Sequence, residues 1–129
     1  NINPPLAFLD IPAGTQSLAL IMYDPDVPLN LRPDGNFDHW IIFNIPADTK
    51  EILAGATNVP GIQGANSRGA SQYSGPRPPD REHRYFFVLY ALDNFLSLPQ
   101  SATRTEIEKA MTGHILATAT LIGLYAPIS

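Results

Sequence analysis

Cysteine is absent from these 129 residues, which removes a disulfide framework, a zinc knuckle and thiol catalysis together. Basic residues are few: eight Lys and Arg stand against twelve Asp and Glu, for a formal net charge of −4. They form no cluster or stripe that would give an electrostatic footprint for nucleic acid or an anionic membrane surface, so no nucleic acid partner is expected. No apolar run approaches the roughly 18 to 20 residues of a spanning helix, and no charged stretch with an apolar core opens the chain. The expectation is a soluble domain without a membrane span, leaning to the cytoplasm, with the periplasm as the alternative had a signal peptide been removed. The G-x-x-x-x-G-K-S/T and G-x-G-x-x-G fingerprints are missing, and Ser67, Ser71 and Ser74 sit in no G-x-S-x-G elbow, so nucleotide hydrolysis and a serine triad have no support. Without an H-x-x-x-H or H-x-H pair, neither a metal nor another cofactor is expected.

What is present is a chain of single-domain length with 13 prolines, about twice the usual share of roughly 5%. They fall between apolar runs and read as loop architecture. Ser17 to Tyr23 is an uninterrupted apolar run stopped by Asp24-Pro25-Asp26, as suits a buried strand. His39 to Ile45 is aromatic and β-branched and ends at Pro46, which cannot donate to a ladder. Arg84 to Leu92 has no breaker and is expected at the centre of the sheet. Thr103 with Glu106 three residues on forms a capping box for one helix, with Ile107, Ala110 and Met111 on its apolar face and Gly113 at its end. Leu116 to Tyr125 reads as a closing strand, with a continued helix as the alternative. Gly55 to Glu82 is rich in glycine and proline with hardly any apolar periodicity, a length of irregular chain usually tied to function or disorder. Short strands, such connections and one late helix predict a mainly β protein: an antiparallel β-sandwich in one domain over residues 1–129.

Polar residues gather at the strand edges. Asp24 and Asp26 end one strand, His39 begins another, and His83 and Tyr85 open a third beside the glycine-rich loop. Taken singly each has a plain structural reading. Asp-Pro-Asp is ordinary turn chemistry, and a lone histidine among aromatics is more often a satisfied core group than a ligand. Arg84 alternates with His83 and Tyr85, so it is expected on the opposite face in a structural ion pair. His114, after the helix, is expected at terminal carbonyls rather than in a pocket.

Taken in order, Asn3-Pro4-Pro5-Leu6, Ser17-Leu18-Ala19-Leu20, Asp24-Pro25-Asp26-Val27-Pro28, His39-Trp40, Tyr73-Ser74-Gly75-Pro76, Pro78-Pro79, His83-Arg84-Tyr85 and Met111-Thr112-Gly113-His114 resemble the bacterial and archaeal branch of the phosphatidylethanolamine-binding proteins. The resemblance spans essentially the whole chain. It implies a β-sandwich with peripheral helices and a small pocket for phosphate, acetate or a phosphorylethanolamine head group. It places Asp24, Asp26, His39, Gly75, His83 and Tyr85 in that pocket, with Pro28, Phe37, Trp40, Tyr73 and Pro76, together with Pro78 and Pro79, shaping its rim. Imidazoles and backbone amides donate to phosphate oxygens, while carboxylates orient the imidazoles or receive an ammonium. Histidine protonation then implies that anion affinity rises as pH falls through about 6.5. The resemblance also carries cis peptide bonds at such prolines and, as a partner, a kinase or protease to be inhibited; apart from it, a second copy in a homodimer is the other partner weighed.

Two departures stand out. The segment Gly69-Ala70-Ser71-Gln72-Tyr73 is longer than usual before the tyrosine, and Asp80-Arg81-Glu82 replaces a glycine-containing turn. The family also begins with a further strand and an Asp-Gly element, so an N-terminal edge is expected to be missing. Three functions compete: a non-enzymatic binding or regulatory protein, which leads; a hydrolase using the Asp and His residues; and an assembly module with a vestigial pocket.

Overall fold

The computed structural model describes residues 3–76 and 81–125. Strands β1 (Leu6–Ala7), β2 (Ser17–Asp24), β3 (Phe37–Pro46), β4 (Glu51–Ile52), β5 (Ile62–Gln63), β6 (His83–Leu92) and β7 (Ile115–Tyr125) are joined by one helix, α1 (Arg104–Met111). Five of them form an antiparallel sheet in the order β5-β3-β2-β6-β7, and β1 pairs with β4 in a separate two-stranded ladder.

β2 lies at the centre and is covered on both faces, which is why its sequence runs apolar without alternating. Leu18, Leu20 and Met22 point into a core shared with Trp40, Ile42, Tyr85 and Phe87 and closed by Ile52 of β4 and by Phe8, which follows β1. Ala19 and Ile21 point the other way, onto Ile41, Phe43 and Leu92, where Ile107 and Met111 of α1 complete the layer. Each such large apolar side chain, fully withdrawn from water, contributes roughly 1.5 to 3 kcal/mol. The sandwich expected from the sequence is therefore lopsided: one long sheet, a helix on one face, and two-residue strands with their loops on the other. The sequence expectation of β6 at the centre is corrected to β2, because β6 has only the edge strand β7 beyond it. On β7 Leu121 and Ile122 remain more than half exposed.

The ladder of β2 with β3 slips twice, and each slip adds one residue on β3. One slip includes Asn44, at φ 54°, whose side-chain amide closes two hydrogen bonds with the backbone of Leu96 (2.8 and 2.7 Å). The other leaves His39 without a partner on β2, since Met22 pairs with Trp40 and Tyr23 with Asp38. A bulge of this kind re-aims a side chain, and here it decides where His39 goes. Strict alternation would put His39 on the face of Ile41; instead its ring packs on Tyr85, on the side of Trp40.

The helix is capped as its sequence dictates. Thr103 N–H donates to Glu106 Oε1 (3.0 Å) and Glu106 N–H to Thr103 Oγ1 (3.4 Å). Among the described residues no peptide bond is cis, unlike what the family resemblance implies for the prolines. Pro78, Pro79 and Asp80, named above for the rim and its turn, lie outside the described residues.

Candidate functional site

Three strand tips meet on the β1–β4 side of the sheet. Asp24 closes β2 in step with the inward-facing Leu20 and Met22, while His83 and Tyr85 open β6 in step with Phe87. The bulge adds His39. All four side chains are nearly inaccessible to solvent, from 0% for His83 to 6% for His39. Polar groups so placed require partners, and the fold provides them. His83 Nδ1 donates to Asp24 Oδ2 at 2.6 Å, and Asp24 Oδ1 accepts the Asp26 backbone N–H at 2.8 Å. His39 Nδ1 lies 2.6 Å from the Ser74 carbonyl oxygen, and Ser74 N–H donates back to the His39 carbonyl at 2.9 Å. A carbonyl only accepts, so Nδ1 of His39 carries the proton and Nε2 of the neutral ring is an acceptor. Burial pushes the His39 pKa below the usual 6.5, against the Ser74 carbonyl and the Asp24 and Asp38 carboxylates, which favour the charged ring; Arg68 adds to the lowering.

These groups line a cavity of about 360 Å³ together with Phe37 and Gly75. That volume is at the small end of ligand sites. Of the pocket residues expected from the sequence, Asp24, His39, Gly75, His83 and Tyr85 come together, with Phe37 at the mouth. Asp26 does not join them. The Asx turn at Asp24-Pro25-Asp26 sends its carboxylate outward, where Arg84 holds it through Nε (3.0 Å), Nη2 (2.8 Å) and its backbone N–H (2.8 Å). Those hydrogen bonds, outweighing a desolvation effect in the other direction, lower the Asp26 pKa to about 2.

Trp40 and Tyr73 also lie elsewhere. Their rings meet edge to face at 5.3 Å beside a second cavity, and Trp40 Nε1 donates to Gln63 Oε1 at 2.8 Å. Pro28 and Pro76 are half-buried and outside the lining; the Pro28 carbonyl accepts from the backbone N–H groups of Leu31 and Arg32 (2.9 and 3.1 Å). His114 turns its ring to Asp93 at 2.8 Å, far along the sheet from these tips.

Besides the apolar Val27 and Leu31 of the lining, three polar residues at the site went unread in the sequence. Ser74 acts through its carbonyl rather than its hydroxyl, and Arg32 and Arg68 reach the mouth from two loops. Only the crowding of Asp24, His39 and Gly75 around those loops could have signalled them. Among the described residues no three His, Asp or Glu side chains converge as metal ligands would, and no helix is long and apolar enough to cross a membrane.

Comparison with known proteins gives a consistent result. The family model described as phosphatidylethanolamine-binding protein matches residues 1–126. The UPF0098 protein of Chlamydia muridarum is 48% identical over 96% of this chain and 82% of its own. That of Methanothermobacter thermautotrophicus is 45% identical over 97% of this chain and 83% of its own. Among solved structures, a phosphatidylethanolamine-binding protein homologue from Chlamydia trachomatis superposes with a TM-score of 0.93 at 45% identity, covering 96% of this chain and 80% of the other. E. coli YbcL, described as a member of the mammalian PEBP family, follows with a TM-score of 0.88 at 29% identity, covering 100% and 82%.

Proposed function

The chain belongs to the phosphatidylethanolamine-binding protein family, and from that membership and the geometry of the cavity we propose a small non-enzymatic binding protein that takes a phosphate or a phosphorylethanolamine-like group. One observation carries this reading: two buried imidazoles on one face of the sheet each commit Nδ1 to a protein oxygen, Asp24 Oδ2 for His83 and the Ser74 carbonyl for His39. Fixed tautomers and fixed rings are what a binding site needs to meet a ligand without reorganising. Gly75 lines the same cavity without a side chain, so a phosphate oxygen can approach its backbone N–H. Neutral His39 Nε2 accepts from a protonated phosphate oxygen, and after protonation it donates to an ionised one. Binding of an anion therefore draws a proton to His39. Because burial lowers the free ring's pKa, affinity keeps rising on acidification until the pH has passed below the ordinary histidine value. A kinase or protease partner rests on the family resemblance alone.

The test is calorimetry of inorganic phosphate and phosphorylethanolamine at about pH 6, on the wild type, His83→Ala and His39→Gln, with near-ultraviolet circular dichroism to confirm folding. Binding in the millimolar range or tighter, lost in the folded variants, is the expected result. Wild type that binds neither probe would sink the reading.

A further inference from the structure

Arg32 and Arg68 come from separate loops and converge on one aromatic ring. Arg32 is fixed by the turn after β2, where its N–H bonds the Pro28 carbonyl (3.1 Å) and its carbonyl takes the Gly35 N–H (2.9 Å). Gly35 sits at φ 68°, a conformation suited to glycine. Arg68 is fixed by Asn66, whose Oδ1 accepts the backbone N–H groups of Arg68 and Ala70 (2.9 and 3.1 Å). The two guanidinium centres lie 5.5 and 5.9 Å from the centroid of the Phe37 ring. That ring itself packs on His39 at 4.7 Å. Both arginines line the cavity.

Neither charge is neutralised in the way its fellows are. Arg84 is held by Asp26, and Arg104 by Asp38 (3.2 Å) and Glu108 (3.3 Å). Among the described residues Arg32 has only the exposed Asp34 at 3.8 Å, and its Nε is buried with no hydrogen-bond partner there. The Arg68 guanidinium has no hydrogen bond or ion pair among the described residues. Cation–π attraction explains why each prefers the ring, but two like charges on one ring repel, and an anion between them satisfies both.

The floor cannot do this. Asp24 with His83 carries no net positive charge in either protonation state of the ring, and the free His39 ring is neutral, its Nδ1–H donated to the Ser74 carbonyl. Before an anion arrives the floor supplies shape and hydrogen bonding, and the mouth supplies the standing positive charge. Resting on the anion pocket proposed above, we infer that Arg32 and Arg68 are the specificity-determining residues of this site, selecting a phosphomonoester dianion over a zwitterionic phosphodiester. The phosphate sits against His39, whose ring takes up a proton on binding so that Nε2 donates to it, and its outward oxygens meet the two guanidiniums. A phosphodiester has one charge and spends two oxygens on ester bonds, so it offers the mouth less.

Calorimetry with methyl phosphate and glycerophosphorylethanolamine tests this at about pH 7.5, where a phosphomonoester is mostly dianionic. The proteins are wild type, R32Q, R68Q, R32Q/R68Q and R32K/R68K. Wild type should prefer methyl phosphate by about tenfold or more. The double glutamine variant should bring the two ligands within about threefold of each other, and the double lysine variant should restore part of the preference. Steeper salt dependence for methyl phosphate in the wild type than in R32Q/R68Q should accompany this. Unchanged selectivity in R32Q/R68Q, with methyl phosphate binding still lost in His39→Gln, would overturn the role of the arginines and leave the pocket standing. Wild type that binds neither ligand, nor inorganic phosphate, would overturn both.

Discussion

Asp24 and Asp26 stand on either side of Pro25, and each meets a nitrogen-bearing side chain from the start of β6. Asp24 meets His83 inside the fold, where the two side chains are 4% and 0% exposed; Asp26 meets Arg84 at the surface, where the guanidinium is 54% exposed. The difference comes from one local device. The Asp26 N–H bonds Asp24 Oδ1, and this Asx turn reverses the chain so that two carboxylates separated by one residue face opposite ways. Residue type and spacing are the same for both; burial separates them. The inner pair has lost its water and depends on its geometry, whereas the outer pair still meets water and salt through the exposed Arg84 side chain. The proposed function rests on the inner pair, because a fixed, dehydrated carboxylate and imidazole orient a ligand, and a surface ion pair anchors a loop.

The largest effect that would break this comparison is in Asp24→Ala. It leaves His83 buried without its carboxylate, and about 3 to 5 kcal/mol of stability should be lost in urea denaturation, together with anion binding. A loss under about 1 kcal/mol would mean that the inner pair behaves like a surface one. Next is His39→Ala, which strips the buried Ser74 carbonyl of its donor; about 1 to 3 kcal/mol should go, with phosphate binding.

A pH series sharpens the point. The folded pKa of His39 lies below its unfolded value near 6.5, so the unfolded chain takes up the proton first. The wild type should therefore lose stability as pH falls below about 6.5, down to the lowered value, and His39→Gln should lose that part of the slope. The denaturation midpoint between about pH 5 and 8 measures it; equal slopes in the two proteins would contradict the burial of His39. The smallest effect is expected from Asp26→Asn. At neutral pH its stability should shift less than in either variant above, and phosphate affinity should stay within about twofold. The contribution of Asp26 is present above the ordinary 3.8 and is lost as pH falls toward about 2, so the variant should lose a small, constant amount of stability across the neutral range and show a flatter acid limb.

Much of this was legible in the chain, for identifiable reasons. β2 announces itself because both of its faces are covered, giving a continuous apolar run, β6 because its aromatic and aliphatic run has no breaker, and α1 because Thr103 and Glu106 bond to each other's neighbourhood. Asp24, His39, His83 and Tyr85 were readable as strand-tip polar residues once the ordered motifs were taken together. Trp40 was misplaced at the rim because the bulge at His39, a long-range matter of how β3 pairs with β2, puts two consecutive residues on one side of the sheet. Asp26 was misplaced because alternation stops at the turn. Arg32 and Arg68 were invisible: they lie in loops without periodicity and meet only through Phe37.

The most direct measurement is a phosphate titration followed by nitrogen-15 NMR of the backbone amides and histidine rings at about pH 6. Saturable shifts centred on the Gly75 amide and the His39 ring, with His114 and the β7 amides unmoved, are the expected result. A saturable response centred anywhere else, or none at Gly75 and His39, would contradict the assignment of this cavity as an anion site.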